Sequence, residues 1–135
     1  MKNKEQIKGI IKQDLKEADF LKLALEIFEY VCKDVQNIQF SLYTKEIKEI
    51  RKESSGADLF RAIQYLFGAR AKVLEIKFLF VDSPKQYKLK NSKVVKARKT
   101  GVFLHPETKK PVENFGADIF MYFEATEYLK KQLNN

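Results

Sequence analysis

The chain has no tryptophan, one cysteine, one histidine, three prolines and five glycines in 135 residues. Each scarcity closes off a class of protein. Cys32 alone cannot form an internal disulfide, which excludes a small stapled scaffold and fits a reducing cytoplasm. With His105 as its only possible Cys/His partner, a zinc site built by the protein is not expected, and no other cofactor is implied. The glycines are too few, and none is spaced to cradle a phosphate. Ser54, Ser55 and His105 have no nucleophile-elbow context, and Glu46 and Glu49 read as ordinary helix-surface charges, so no catalytic residues are expected. No apolar run approaches the roughly 18 residues of a membrane span. The N-terminal stretch MKNKEQIKGIIKQDLKE is charged throughout and lacks the apolar segment of a signal peptide. The expectation is a cytoplasmic, non-enzymatic protein with no membrane partner.

What is present points elsewhere. Apolar residues make up 44% and aromatics 13%, too many for a disordered chain and enough for the core of one domain. The net charge of +8 is concentrated. Residues 85–110 hold Lys85, Lys88, Lys90, Lys93, Lys96, Arg98, Lys99, Lys109 and Lys110 against Glu107 alone, and the charges of the remainder cancel. A neutral body with one cationic segment is the electrostatic footprint of a polyanion binder, set against the blander reading of a solvated Lys-rich loop.

Residues 4–18 carry Ile7, Ile10, Ile11, Leu15 and Ala18 at helical spacing, and residues 19–35 are apolar around most of a helix, with Asp19 a possible cap between the two. Ile38, Phe40 and Leu42 alternate with polar residues as in a short strand. Thr44 stands where a helix N-cap belongs, and Lys45–Glu53 follows as a short helix. Ser55-Gly56-Ala57-Asp58 is a helix start signal. From Asp58 to about Arg70, the residues Leu59, Phe60, Ile63, Leu66 and Phe67 form one apolar stripe about 120° wide. Opposite lie Asp58, Arg61, Tyr65 and Gly68, flanked by Gln64. Lys72–Val81 changes to period two, with Leu74, Ile76, Phe78 and Phe80 on one face. Asp82-Ser83-Pro84 ends that strand. Lys85–Lys99 is polar, with weak strand potential at Lys93–Ala97; Gly101–His105 reads as a strand, and 106–111 as a turn closing a hairpin onto Val112–Phe115. Ala117–Ala125 reads as a strand covered on both faces, and Thr126–Leu133 as a closing helix with Thr126 as cap.

This order resembles the winged helix-turn-helix superfamily, on FSLYTKEI entering one helix, SSGAD as the turn, ADLFRAIQYLF as the next helix, VLEIKFLFV as the strand leading to a wing, and IFMYFEATEYL as the return strand and closing helix. It is similar in arrangement to the winged modules of plasmid and phage replication initiators and to small repressors. The resemblance implies one α+β domain: N-terminal helices (1–35), helix-turn-helix and strand (36–82), a long basic wing (83–116), and return strand with closing helix (117–135). It further implies a DNA-binding factor of a mobile genetic element, acting in DNA replication or transcription regulation. Its partner is duplex DNA, with single-stranded nucleic acid and a homodimer also open. The helix after the turn would enter the major groove. Carried over by position, Ser55, Asp58, Arg61, Gln64 and Tyr65 would face it, with Arg61 suited to guanine, Gln64 to adenine, and Asp58 more suited to capping. Lys88, Lys90, Lys93, Lys96, Arg98 and Lys99 would contact phosphates. Tyr87 could stack on an unpaired base.

Two other readings stay open. Asp58 followed by Glu75-Ile76-Lys77 is similar to the D…(D/E)-x-K signature of restriction-endonuclease-like nucleases, in which the carboxylates hold Mg²⁺ and the lysine assists the attacking water. That arrangement needs Asp58 at the end of a strand. Alternatively, Phe115, Phe120, Tyr122, Phe123 and Tyr128 could serve a protein partner, as in an accessory subunit or an inhibitor of a host nucleic-acid enzyme.

Overall fold

A computed structural model describes residues 2–134. The fold is α+β. Among the described residues the order is α1 (Lys4–Asp14), α2 (Leu21–Cys32), β1 (Gln39–Phe40), α3 (Lys45–Arg51), α4 (Gly56–Phe67), β2 (Leu74–Asp82), β3 (Lys85–Leu89), α5 (Asn91–Thr100), a 3-10 turn (Phe115–Ala117), β4 (Ile119–Ala125) and α6 (Glu127–Gln132). The strands form one antiparallel sheet in the order β1-β4-β2-β3. The chain divides into two compact units. One comprises the residues up to Glu75 and from Phe123 onward; the other is Ile76–Tyr122.

The first unit is helical, built on α2. Five residues of α2 are buried (Leu23, Ala24, Ile27, Phe28 and Val31), which lets the helix pack against α1, α3 and α4. The start of α1 is fixed by Asn3, whose side chain accepts the Gln6 N–H at 2.9 Å while the Gln6 side chain accepts the Asn3 N–H at 2.8 Å. Phe20, not Asp19, stands at the N-cap of α2, without a side-chain cap bond. The short strand is shorter than its alternation implies: β1 pairs only as Gln39↔Glu124 and Phe40↔Phe123. Thr44 is the N-cap residue of α3, but its hydroxyl is turned back to accept the Ser41 N–H at 2.9 Å, closing the preceding turn. Ser55 caps α4 as expected, accepting the Asp58 N–H at 3.1 Å. Thr126 caps α6 in the same way through Leu129.

The apolar arc of α4 is rotated from its expected position. Leu59, Ala62, Ile63 and Leu66 are buried, while Phe60 is 67% and Phe67 40% exposed. Ala62 moves the buried arc by about 50° on the helical wheel, which leaves the two phenylalanines on its outer edge.

The second unit has a core of its own. Phe78, Phe80, Leu89, Val94, Ala97 and Phe103 form a buried cluster, joined by partly buried Ile76, Tyr87, Val112, Phe115 and Ile119. β2 and β3 make a hairpin whose register runs from Phe78↔Leu89 to Asp82↔Lys85 around Ser83-Pro84, a cis peptide. The segment 83–116, expected as one long wing, is therefore a strand, a helix and a looped turn. The weak strand potential at Lys93–Ala97 is not realised. These residues lie in α5, because Val94 and Ala97 at i, i+3 supply one narrow buried edge, and Gly101 at φ +77° ends the helix in the left-handed conformation. The expected strand Gly101–His105 is reduced to a single bridge, Leu104↔Pro111. It keeps the hairpin sense through His105 N–H donating to the Lys110 carbonyl and Val112 N–H to that of Phe103, both at 2.9 Å. β4 is not covered on both faces, since Phe120 is 53% and Met121 43% exposed. No helix of the described residues is long and apolar enough to cross a membrane.

Candidate nucleic-acid interface

The phosphate-contact candidates gather in the second unit. Lys88 lies on β3, Lys90 at the N-cap of α5, and Lys93, Lys96, Arg98 and Lys99 on α5 itself; all six are exposed. Helical geometry sorts them. With Val94 and Ala97 inward, Lys96 and Lys99 lie on the outer face and Lys93 beside it. Arg98 is at the other border, its guanidinium over the Phe78 ring at 5.4 Å from the centroid. No carboxylate sits on α5, and among the described residues Lys88, Lys90, Lys93, Lys96 and Lys99 show no ion pair. The charge expected from composition is therefore free on one helix and the strand before it.

The other cations of residues 85–110 are not all equivalent. Lys85 is held by Glu107 at 3.3 Å. Glu107 also accepts the Tyr87 hydroxyl at 2.6 Å. That bond, with Lys85 second, holds the Glu107 carboxyl below its ordinary range; the same bond, with burial second, pushes the Tyr87 phenol up to about 12. The Tyr87 ring packs edge-on to His105 and tilted on Phe80. Tyr87 is thus engaged through both its hydroxyl and its ring, a structural role beside the stacking expected of it. His105 is part of the same cluster. Its Nε2 lies 2.9 Å from Asp82 Oδ2, and its Nδ1 accepts the N–H groups of Glu107 and Thr108. Accepting at Nδ1 leaves Nε2 as the donor in the neutral ring.

The base-reading candidates sit on α4, in the first unit, and the structure commits most of them elsewhere. Ser55 is consumed by capping. Arg61 lies 3.4 Å from Asp58 one turn back. Tyr65 donates its hydroxyl to Asp14 at 2.6 Å, and Arg70 bonds the same carboxylate at 3.0 Å. Tyr65 therefore fixes α4 to the end of α1, which corrects its reading as a groove-facing side chain. Gln64 is exposed and lies between exposed Phe60 and Phe67 at i, i+4, i+7. That outer face is more apolar than a base-reading helix needs.

The metal-dependent alternative fares differently at its three positions. Asp58 lies in the first turn of α4, not at the end of a strand. Glu75 and Lys77 lie on β2, as that resemblance implies. No group of three His, Cys, Asp or Glu residues among those described is arranged to hold a metal ion.

One feature of the second unit escapes sequence reasoning. Lys93, Lys96, Ala97, Thr100, Val102, Phe103 and Leu104 line a pocket of about 440 Å³ between α5 and the segment that follows it. Its trace in the sequence is only the apolar run Val102-Phe103-Leu104; which of the three is buried emerges from the structure, Phe103 inward and its neighbours 57% and 50% exposed. A larger open groove of about 960 Å³ runs along α1, α2 and α3, with Leu21, Leu25, Tyr30 and Ile50 between lysine and glutamate side chains. Compared with protein-family models, curated proteins and solved structures, the chain matches none.

Proposed function

We propose that this chain is a non-enzymatic nucleic-acid-binding protein whose affinity comes from α5 and the β2–β3 hairpin. The carrying observation is the exposed cationic face formed by Lys88, Lys90, Lys93, Lys96 and Lys99, without an ion pair among the described residues and with no acidic residue on the helix. Free, exposed ammonium groups along one helix suit a phosphate backbone, where each neutralised phosphate releases a counterion. Ion-paired lysines such as Lys85 contribute less, since the partner must first be displaced.

We read the architecture as a variant of the winged helix-turn-helix, a reading that the order of elements supports. A four-residue turn joins α3 to α4, β2 and β3 follow as a hairpin, and β4 returns beside β2 ahead of α6. In this reading the wing is enlarged by β3, α5 and the 101–118 segment. Specificity would rest on exposed Gln64, and on Arg61 once it exchanges its 3.4 Å contact with Asp58 for a base, and the biological role would be that of a mobile-element replication or transcription factor. The direct test is a mobility shift against random duplex and single-stranded pools at 50 and 200 mM salt. Retention at the lower salt that weakens steeply at the higher is expected; no retention of either pool at 50 mM would refute nucleic-acid binding.

One observation favours a second reading. The exposed Phe60–Gln64–Phe67 stripe on α4 is suited to a protein partner, as an accessory subunit or inhibitor would need. Replacing both phenylalanines by alanine would then abolish capture of a stoichiometric partner while leaving nucleic-acid affinity intact.

A further inference from the structure

The pocket beside α5 extends the proposed function, and rests on it. Its walls divide by chemistry. Val102, Phe103, Leu104 and Ala97 are apolar; Lys93 and Lys96 are cations; Thr100 has its hydroxyl committed to the Lys96 carbonyl at 2.9 Å. Among the described residues, no carboxylate lines the pocket. Val102 and Leu104 stand half exposed at 57% and 50%, so the apolar surface is reachable from solvent. Both side chains belong to a short segment pinned at each end, by the Gly101 N–H on the Ala97 carbonyl and by the Leu104↔Pro111 bridge.

An apolar slot with two cations and no anion suits a flat apolar ring that carries a phosphate. At about 440 Å³ the space is large enough for one nucleobase. A base within a duplex is stacked on both sides and paired at its edge, so it cannot enter. An unpaired base can, with its flanking phosphates meeting Lys93 and Lys96, which belong to the same cationic face of α5. Single strands are held through the faces of their bases, usually on aromatic side chains and with little regard to sequence; here the reachable surface is aliphatic, Val102 and Leu104 in front of buried Phe103, so the base would be held by apolar contact.

We infer that this pocket takes an unpaired nucleotide, so that the protein prefers single-stranded or locally opened nucleic acid to a continuous duplex. Lys93 and Lys96 would serve both forms, whereas Val102 and Leu104 would serve only the unpaired one.

The test measures anisotropy of a labelled oligonucleotide in three forms: single strand, blunt duplex, and a single strand of equal length carrying abasic sites. The expected result is single-strand binding about tenfold tighter than abasic binding, with phosphate number unchanged. A Val102→Asn, Leu104→Asn double variant keeps the charge and changes only exposed positions. It should lose that tenfold advantage and leave duplex affinity as it was. Lys93→Gln with Lys96→Gln should weaken all three forms. Equal affinity for intact and abasic strands overturns the inference while leaving nucleic-acid binding standing, as does an Asn variant that keeps its single-strand preference. Failure of every form to bind overturns both.

Discussion

At the scale of single residues, the Asp14 carboxylate is the most informative group. It accepts hydrogen bonds from Arg70 and from the Tyr65 hydroxyl, the latter at 2.6 Å, and its side chain is only 15% exposed. The Arg70 bond, with that of Tyr65 second, holds its pKa below the ordinary value of 3.8. A carboxyl depressed in the folded state adds stability that is complete above the unfolded value and lost as pH falls through the folded one. Thermal stability should therefore fall as pH drops below about 4, and Asp14→Asn should flatten that part of the profile; equal slopes for both proteins would exclude the role. Tyr65→Phe removes one hydrogen bond to a charged group and should cost about 1.5 kcal/mol in urea unfolding. A side chain that only faced solvent, as a free base-reading tyrosine would, should cost nearly nothing. The same contrast applies along α4. Phe60→Ala should change stability by less than about 0.5 kcal/mol, because Phe60 is exposed, while Leu66→Ala should cost about 2–5 kcal/mol, because Leu66 is fully buried.

At the scale of elements, two glycines should respond in opposite directions to the same change. Gly101 ends α5 at φ +77°, and Gly9 lies inside α1 with open space around it. Gly101→Ala should destabilise by about 1 kcal/mol, since alanine is strained in the left-handed region. Gly9→Ala should stabilise by roughly 0.5–1 kcal/mol through helix propensity alone. Urea midpoints shifting in the same direction for both would contradict these backbone assignments. These elements also show where the sequence could be read. α4 was legible because Ser55 announces its start and its buried residues recur at helical spacing. β2 was legible because Leu74, Phe78 and Phe80 alternate with less buried neighbours. α5 was not, because its buried edge consists of Val94 and Ala97 alone, no side chain caps its start, and a lysine-rich surface carries no period. Its end was written, in Arg98 and Lys99 ahead of Gly101, a basic last turn before a C-terminal glycine. Side-chain commitments such as Tyr65 to Asp14 join residues far apart in the chain, and no local pattern could disclose them.

At the scale of the whole molecule, the question is whether net charge or its placement governs binding. The unit Ile76–Tyr122 holds ten Lys and Arg against four Asp and Glu, while the rest of the chain holds sixteen against fourteen. A binder working through overall charge would lose affinity equally wherever lysines were neutralised, because attraction would then follow the net charge alone. A binder working through contact would lose it only where ammonium groups meet phosphates. Two triple variants separate these cases at equal net charge: Lys93, Lys96 and Lys99 to Gln on α5, and Lys12, Lys16 and Lys48 to Gln on exposed positions of the first unit. The log–log dependence of affinity on salt should become shallower by roughly 2–3 in the first variant, at about 0.9 per lost phosphate contact on duplex, and stay close to the parent in the second. Equal losses in both would reduce the cationic helix to a general charge effect. A loss confined to the second would move the interface to the helical unit. The contact model is the stronger expectation because the five free lysines share one strand and one helix, where a phosphate backbone can meet several at once.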